Sequence, residues 1–262
     1  MIPRQRVGAL PVVSLSFWSF AITGSVRHTA VWSYAEISAL PRQETRAAVT
    51  CSTSGLTEDA LRFSTWRGVP IRTLLSAVTT GPDAHFARLH STDGYTTVVP
   101  VGALDDAVLA LERDGAPLTE EDGFPARFVL PARSGYKQAK WVERIELISQ
   151  PVGGLWEDRG YDVHGSLQPG SSLTVTAEDG ALRLSGTAFA NGNLSGVQIS
   201  IDGGDWVPAK CDTASPSPDG LHIVQWQRLW RPPHTGIYEL RLRIEVQHGT
   251  FSRPLVKNIR TP

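Results

Sequence analysis

The stretch Asp122-Gly-Phe-Pro-Ala-Arg-Phe-Val-Leu-Pro-Ala-Arg-Ser-Gly-Tyr-Lys-Gln-Ala-Lys-Trp141 carries the most information in this chain. It surrounds a short apolar core, Phe128 to Leu130, with two Pro, two Gly, two Arg and two Lys residues. Backbone N–H groups at a glycine turn, with Arg and Lys side chains converging on it, make a site for a phosphate or another anion. The same pattern fits a strand, a polar loop and a solvated second strand, so this stretch alone leaves both interpretations open.

Further motifs lie on both sides of this stretch. They are Cys51 after the apolar run Ala47 to Thr50, Trp66 to Leu75, Ser91 to Tyr95, Gly115 to Leu118, Gly186 to Ala190, Val197 to Trp206 and Trp230 to Arg241. Taken in order with Asp122 to Trp141, they resemble the sulfite oxidase family of molybdopterin enzymes over roughly Trp18 to Gly249. The resemblance implies a molybdopterin-binding domain followed by an all-β immunoglobulin-like sandwich that joins two copies of the chain.

The composition is that of a chain with a hydrophobic core. The 262 residues are enough for one large domain or two ordinary ones, and 41% of them are hydrophobic and 19% charged. A net charge of −1 argues against a general partner of nucleic acid or of a membrane surface, because such partners select a basic excess. The two cysteines, Cys51 and Cys211, form no disulfide framework, and no Cys or His pair has zinc-site spacing.

The N-terminus has no secretory signal pattern, and no stretch approaches the ~20 apolar residues of a membrane span. We therefore expect a soluble protein, cytoplasmic as written and exported if the N-terminus is incomplete.

Local patterns in the first 150 residues predict an α+β domain. Strands are predicted over Phe17 to Ile22, Arg46 to Cys51, Phe86 to Leu89, Thr96 to Val99, Phe128 to Leu130 and Trp141 to Ile148, and helices over Ser33 to Leu40, Val69 to Val78 and Val101 to Glu112. Ser33 with Glu36 is the signature of a capping box. Asp93-Gly94 is a typical hairpin turn.

The second half of the chain has a different character. Val152 to Gly170 is rich in Gly, Asp and Ser and reads as a linker, so we expect domains over residues 1–160 and 161–262. Strands are predicted over Ser172 to Thr176, Leu182 to Phe189, Gly196 to Ile201, Leu221 to Trp230, Gly236 to Val246 and Leu255 to Ile259. Short alternating strands joined by Gly, Asn and Pro turns, such as Asp202-Gly203, predict a β-sandwich.

The resemblance implies a role for each residue of the candidate site. Cys51 would ligate molybdenum and tune it in catalysis; a lone cysteine is otherwise most often a small buried hydrophobe. The implied contacts to the molybdenum-molybdopterin cofactor come from Ser91, Asp93, Asp122, Arg127, Lys137, Gln138, Ala139 and Lys140. Among them, Arg127 and Lys140 would hold the pterin and its terminal phosphate, and Lys137 would supplement the phosphate site.

Simpler interpretations of the same residues remain open. All of these positions also fit a solvated surface, and Lys140 could lie over the ring of Trp141. Trp66 fits either a pocket wall near the metal or a core position.

The chain departs from the sulfite-oxidising members of the family. Those relatives carry an Arg shortly after the metal cysteine, where Ser52 to Leu56 offer no cation, and a Tyr where this chain has Leu111. They place a His or Asn at the position of Asp122, and their N-terminal segment is richer in Phe, Arg and His than Met1 to Ser16.

These departures shape the functional hypothesis. We expect oxygen-atom transfer on a small substrate other than sulfite, a homodimer, and, in the absence of a haem or flavin motif, a separate electron-transfer partner. Two alternatives remain: a cofactor-free binding or assembly module on the same fold, and a weaker one, a carbohydrate-binding sandwich.

Overall fold

The computed structural model of the chain describes residues 6–48, 56, 63–216, 220–247 and 249–261. These residues divide into two compact units. The first comprises residues 6–48 and 63–166, and the second comprises Leu56 and residues 167–261. No helix among the described residues combines the length and the hydrophobicity needed to cross a bilayer.

The first unit contains two sheets and short helices. Its strands are β1 (Ser19–Gly24), β2 (Ala30–Ser33), β3 (Gln43–Ala48), β4 (Phe63–Pro70), β5 (Phe86–Ser91), β6 (Thr96–Pro100), β7 (Val108–Arg113), β8 (Ala116–Pro117), β9 (Arg127–Val129) and β10 (Val142–Ile148). Its helices are α1 (Tyr34–Ala39) and α2 (Ile71–Leu75), with 3₁₀ turns at Val101–Asp106, Gly135–Lys137 and Glu157–Arg159. One sheet has the order β2-β1-β10-β5-β6, and the other has the order β3-β4-β7-β8 with β9 paired to β7.

One apolar cluster joins the two sheets of the first unit. It includes Phe20 on β1, Leu89 on β5, Ile145 on β10 and Leu109 on β7, each fully buried. A smaller cluster on the opposite face of the second sheet contains Trp66 with Ala47, Val108 and Ala110. Strand β7 is therefore covered on both faces, because its successive residues enter different clusters.

The second unit is all β within the described residues. Its strands are β11 (Gly170–Ser171), β12 (Thr174–Glu178), β13 (Ala181–Asn191), β14 (Gly196–Ile201), β15 (Val207–Pro208), β16 (Lys210–Cys211), β17 (Ser215–Pro216), β18 (Leu221–Trp230), β19 (Ile237–Gln247), β20 (Thr250–Phe251) and β21 (Leu255–Arg260). One sheet is built around β13 and β18 and the other around β14 and β19. Leu184, Trp226, Ile199 and Leu242 from these four strands share one core, so the unit is a two-sheet sandwich.

Several local predictions are confirmed. Helix α1 begins after Ser33, whose hydroxyl accepts from the Glu36 backbone N–H while the Glu36 carboxylate accepts from the Ser33 backbone N–H. Strands β5 and β6 form the hairpin expected around Asp93-Gly94. Strand β18 has the predicted bounds, Leu221–Trp230.

Two helix predictions are wrong. The predicted helix from Val101 to Glu112 is a 3₁₀ turn followed by strand β7, because a continuous apolar run also suits a strand buried on both faces. The predicted helix from Val69 to Val78 shrinks to α2, since Val69 and Pro70 still belong to β4. The structure is therefore mostly β-strand, and the α+β class fits the first unit only loosely.

Candidate functional site

Three cations and one carboxylate gather where β7 and β9 pair. Arg127 begins β9, Arg113 ends β7, and Lys140 lies shortly before β10. Arg113 Nη1 donates to Asp122 Oδ1 at 2.6 Å, and Arg127 Nη1 donates to the Asp122 backbone carbonyl at 3.1 Å. The stretch from Asp122 to Trp141 thus brings Asp122, Arg127 and Lys140 into one region of the first unit.

All three cations contact aromatic rings. The Arg127 guanidinium carbon lies 4.9 Å from the centre of the Trp66 ring, and that of Arg113 lies 5.2 Å from it. Lys140 Nζ lies 5.6 Å from the Trp141 ring centre and donates to the backbone carbonyl of Glu121. Trp66 is both a core residue and a support for the cations, so the two interpretations from sequence are compatible.

The cations lie in a part-buried region of the first unit, where their like charges repel one another. Burial, and then the charge of Arg113, lower the pKa of Arg127 to about 10. Burial, and then the charge of Arg127, lower the pKa of Lys140. An anion bound beside them would relieve this repulsion, so the donor set fits a phosphate.

Asp122 remains ionised in this cluster. Burial alone would raise its pKa, but hydrogen bonds from Arg113 and Thr119 and the nearby charges of Arg113 and Arg127 lower it overall. Its second carboxylate oxygen accepts from Thr119 Oγ1 at 2.9 Å.

Gln138 and Ala139 hold the backbone of the loop. Gln138 is fully buried; its Oε1 accepts from Leu130 N at 2.7 Å and its Nε2 donates to Leu130 O at 2.6 Å. The Ala139 carbonyl accepts from Phe128 N at 2.8 Å. Both polar ends of the Gln138 side chain are thus bonded to main chain, so the structure gives these two residues a role in holding the loop that carries Lys140.

Lys137 has a partner other than the expected phosphate. Its side chain is fully buried, and its ammonium forms an ion pair with Glu157 and donates to the carbonyl of Val98. Burial lowers its pKa, and the neighbouring Glu157 charge opposes that shift. This geometry does not favour the predicted supplementary contact, because the ammonium is already enclosed by its own partners.

Ser91 and Asp93 lie at the β5–β6 hairpin. Ser91 is 4% exposed, and its hydroxyl has no hydrogen-bond partner among the described residues. Asp93 accepts from Tyr95 N at 3.0 Å and from Val7 N at 2.9 Å. Thr92 between them donates its backbone N–H to the Trp141 carbonyl at 2.9 Å, which ties the hairpin to the residue that follows Lys140.

The N-terminal segment reaches the same region. Val7 bonds to Asp93, and Arg6 Nη1 lies 3.9 Å from a carboxylate oxygen of Glu121. The sequence of Met1 to Ser16 departs from that of sulfite-oxidising relatives. In the structure, residues 6 and 7 lie against two loops beside Lys140.

Arg113 is a residue of the candidate site that the sequence pattern does not predict. The helix wrongly predicted over Val101 to Glu112 ended just before it, so nothing linked Arg113 to the distant Asp122. The available signal was a charged residue at the end of an apolar strand, next to the Asp114-Gly115 turn.

The two leucines that distinguish this chain from sulfite-oxidising relatives are both buried. Leu111 is 3% exposed in the core of the first unit, and Leu56 is 1% exposed in the core of the second. Cys51, the predicted molybdenum ligand, lies outside the described residues, and Leu56 is the one residue between 49 and 62 that the structure describes.

Residues 7–156 match the family of oxidoreductase molybdopterin-binding domains. The chain belongs to this family, because the match covers more than half of its length. It is therefore an oxidoreductase that binds a molybdopterin cofactor, and it resembles sulfite oxidases.

Individual relatives agree with this placement. The uncharacterised oxidoreductase YuiH of Bacillus subtilis is 32% identical over 169 residues, which cover 62% of this chain and 82% of YuiH. Human mitochondrial sulfite oxidase is 28% identical over 177 residues, which cover 56% of this chain but 32% of that protein. The sulfane dehydrogenase SoxCD from Paracoccus pantotrophus shares the fold, with a TM-score of 0.70 over 92% of this chain and 70% of the SoxCD chain at 23% identity.

Proposed function

We propose that this chain exchanges an oxygen atom with a small substrate at a molybdenum centre, with Cys51 as the thiolate ligand and Arg127 and Lys140 as the anchors of the pterin phosphate. The observation that supports this proposal best is the part-buried cationic cluster, in which Arg127 is buried and its charge lowers the pKa of Lys140. A bound phosphate would offset that repulsion with charge-assisted hydrogen bonds.

The cofactor would supply two-electron chemistry. In the oxidising direction, substrate and water would give oxidised substrate, two protons and two electrons. The electrons would leave one at a time to a separate acceptor protein. The chain's own residues bind and orient the cofactor. Arg127 and Lys140 hold its anionic end, while Gln138 fixes the loop between them through Leu130.

We infer that the substrate is not sulfite. Sulfite is an anion that sulfite-oxidising relatives help to bind with an Arg shortly after the metal cysteine, where Ser52 to Leu56 offer no cation. Those relatives also carry a Tyr where this chain has Leu111. A leucine side chain has no hydrogen-bond donor, and both Leu56 and Leu111 are buried in apolar cores.

We further assign residues 1–160 to the molybdopterin-binding domain and 161–262 to an immunoglobulin-like domain that joins two copies of the chain. The two-sheet sandwich supports the second assignment. Sedimentation analysis tests it, with a dimer expected for the intact chain; a monomer at micromolar concentration would contradict it.

Metal and pterin content of protein from a cofactor-producing host tests the whole proposal. We expect roughly one molybdenum per chain in the wild type and loss of molybdenum in Cys51→Ala. The matched control Cys211→Ala should keep its molybdenum. Arg127→Gln should lose pterin together with molybdenum. Sulfite should release few electrons to an artificial one-electron acceptor.

Each result can contradict a separate part of the proposal. Folded wild type without molybdenum would refute the enzyme assignment. Molybdenum retained in Cys51→Ala would refute the thiolate ligand, and rapid sulfite oxidation by the loaded protein would refute the proposed specificity.

A further inference from the structure

Arg113 is fixed on two sides by side chains of the first unit. Its Nη1 donates to Asp122 Oδ1 at 2.6 Å, and its Nε donates to Ser64 Oγ at 3.0 Å. The ion pair with Asp122 is part-buried, so it is screened less than a surface pair. The Asp122 carboxylate is therefore held on the Arg113 side of the cluster.

The Trp66 ring contacts the guanidinium groups of both arginines. Both guanidinium groups lie over its ring, at 5.2 Å for Arg113 and 4.9 Å for Arg127. The ring is 1% exposed, so its position is set by the core around it. A contact of this kind orients a guanidinium as well as stabilising it.

Asp122 meets the two arginines through different atoms. Its carboxylate accepts from Arg113 and Thr119, whereas its backbone carbonyl accepts from Arg127 at 3.1 Å. The Asp122 charge already acts on Arg127, and a carboxylate that turned towards Arg127 would neutralise more of its charge, because opposite charges at short range in a partly buried site interact strongly.

We propose that Arg113 is a positioning residue that holds the Asp122 carboxylate, so that the positive charge of Arg127 and Lys140 is kept for the cofactor phosphate. This inference rests on the proposed function. The four groups Arg113, Asp122, Arg127 and Lys140 carry a net charge of +2 when all are ionised, while Asp114 lies 3.5 Å from Arg113 Nε and the charge of Glu121 acts on Lys140. Without Arg113, the same count gives +1, and Asp122 loses its strongest partner.

The test uses cofactor retention, which needs no substrate. Four variants are compared with wild type from a cofactor-producing host: Arg113→Gln, Arg113→Lys, the double variant Arg113→Gln with Asp122→Asn, and Arg183→Gln as control. Arg183 forms a matched pair with Glu178 at 2.6 Å in the second unit. Pterin and molybdenum per chain are measured before and after dialysis against rising salt, and thermal unfolding reports folding.

We expect Arg113→Gln to retain roughly tenfold less pterin than wild type at the same salt, because one unit of positive charge is lost and Asp122 is released. Arg113→Lys should keep most of the pterin. The double variant should recover most of what Arg113→Gln loses, because it also removes the competing carboxylate. Arg183→Gln should match wild type.

Recovery in the double variant separates positioning from a merely structural role. The inference would be overturned if the double variant retained no more pterin than Arg113→Gln. It would also be overturned if Arg113→Gln retained as much pterin as wild type, or if Arg113→Lys lost as much pterin as Arg113→Gln. Wild type that contains no pterin would refute the proposed function and this inference together. A loaded wild type with any of the other contrary results would refute the inference alone.

Discussion

Lys137 shows how burial changes the role of a residue that the sequence assigned to an anion site. From sequence it is one of four cations in a basic stretch, but in the structure its ammonium pairs with Glu157, whose carboxylate also accepts from Thr97 Oγ1 at 2.6 Å. Both side chains are nearly inaccessible to solvent. Nothing local in the sequence marks this pairing, because Glu157 lies well outside the stretch that contains Lys137.

We therefore expect Lys137→Met to lower the free energy of unfolding by about 3–5 kcal/mol, because it leaves the Glu157 carboxylate buried without its cation. The double variant Lys137→Met with Glu157→Gln should recover much of that loss. Urea unfolding of the folded, purified variants measures both values. Loss of bound pterin without loss of stability would instead support the original assignment of Lys137 to the phosphate.

At the scale of elements, the turn that precedes the second unit is held by one carboxylate. Asp162 accepts from His164 N at 3.0 Å and Ser166 N at 2.9 Å, and its carbonyl accepts from the Tyr136 hydroxyl at 2.6 Å. Burial opposes ionisation, but hydrogen bonds from Ser166 and His164 outweigh it and lower the pKa of Asp162 from 3.8 to about 2. The turn is thus coupled to the 3₁₀ turn that begins at Gly135.

This shift gives a signed pH dependence. Because the folded pKa lies below the unfolded value, the stabilisation by Asp162 is fully present above pH 3.8 and is lost as the pH falls towards about 2. We expect wild type to be more stable than Asp162→Asn near neutral pH and this difference to shrink through that range. Urea midpoints across pH measure the difference. A difference that stays constant with pH would contradict the role of the ionised carboxylate.

The elements that the sequence predicts well are those set by neighbours in the chain. The Ser33–Glu36 capping box and the Asp93-Gly94 hairpin depend on residues within a few positions of each other. The sequence predicts a helix at strand β7 because a continuous apolar run is compatible with both a buried helix and a buried strand. Pairing with β4 and β9 is what makes this segment a strand. Arg113 was missed for the same reason, whereas Arg127 and Lys140 were found because one contiguous stretch contains them.

At the scale of the whole molecule, each compact unit has its own hydrophobic core. The described residues proposed to hold the cofactor, including Asp122, Arg127 and Lys140, belong to the first unit. The second core is built from the sandwich strands and also includes Leu56. A ligand that binds a folded unit stabilises that unit by mass action, so the effect of cofactor binding by Asp122, Arg127 and Lys140 should appear in the unfolding of the first unit.

Calorimetry of loaded and cofactor-free protein should therefore show two transitions, of which the cofactor raises one. Leu242→Ala, which removes a fully buried side chain from the second core, should lower the other transition by about 2–5 kcal/mol of unfolding free energy. Leu109→Ala in the first core is the matched variant and should lower the cofactor-sensitive transition instead. A single transition that either variant lowers would show that the two cores unfold together, because independent cores respond only to changes in their own contacts.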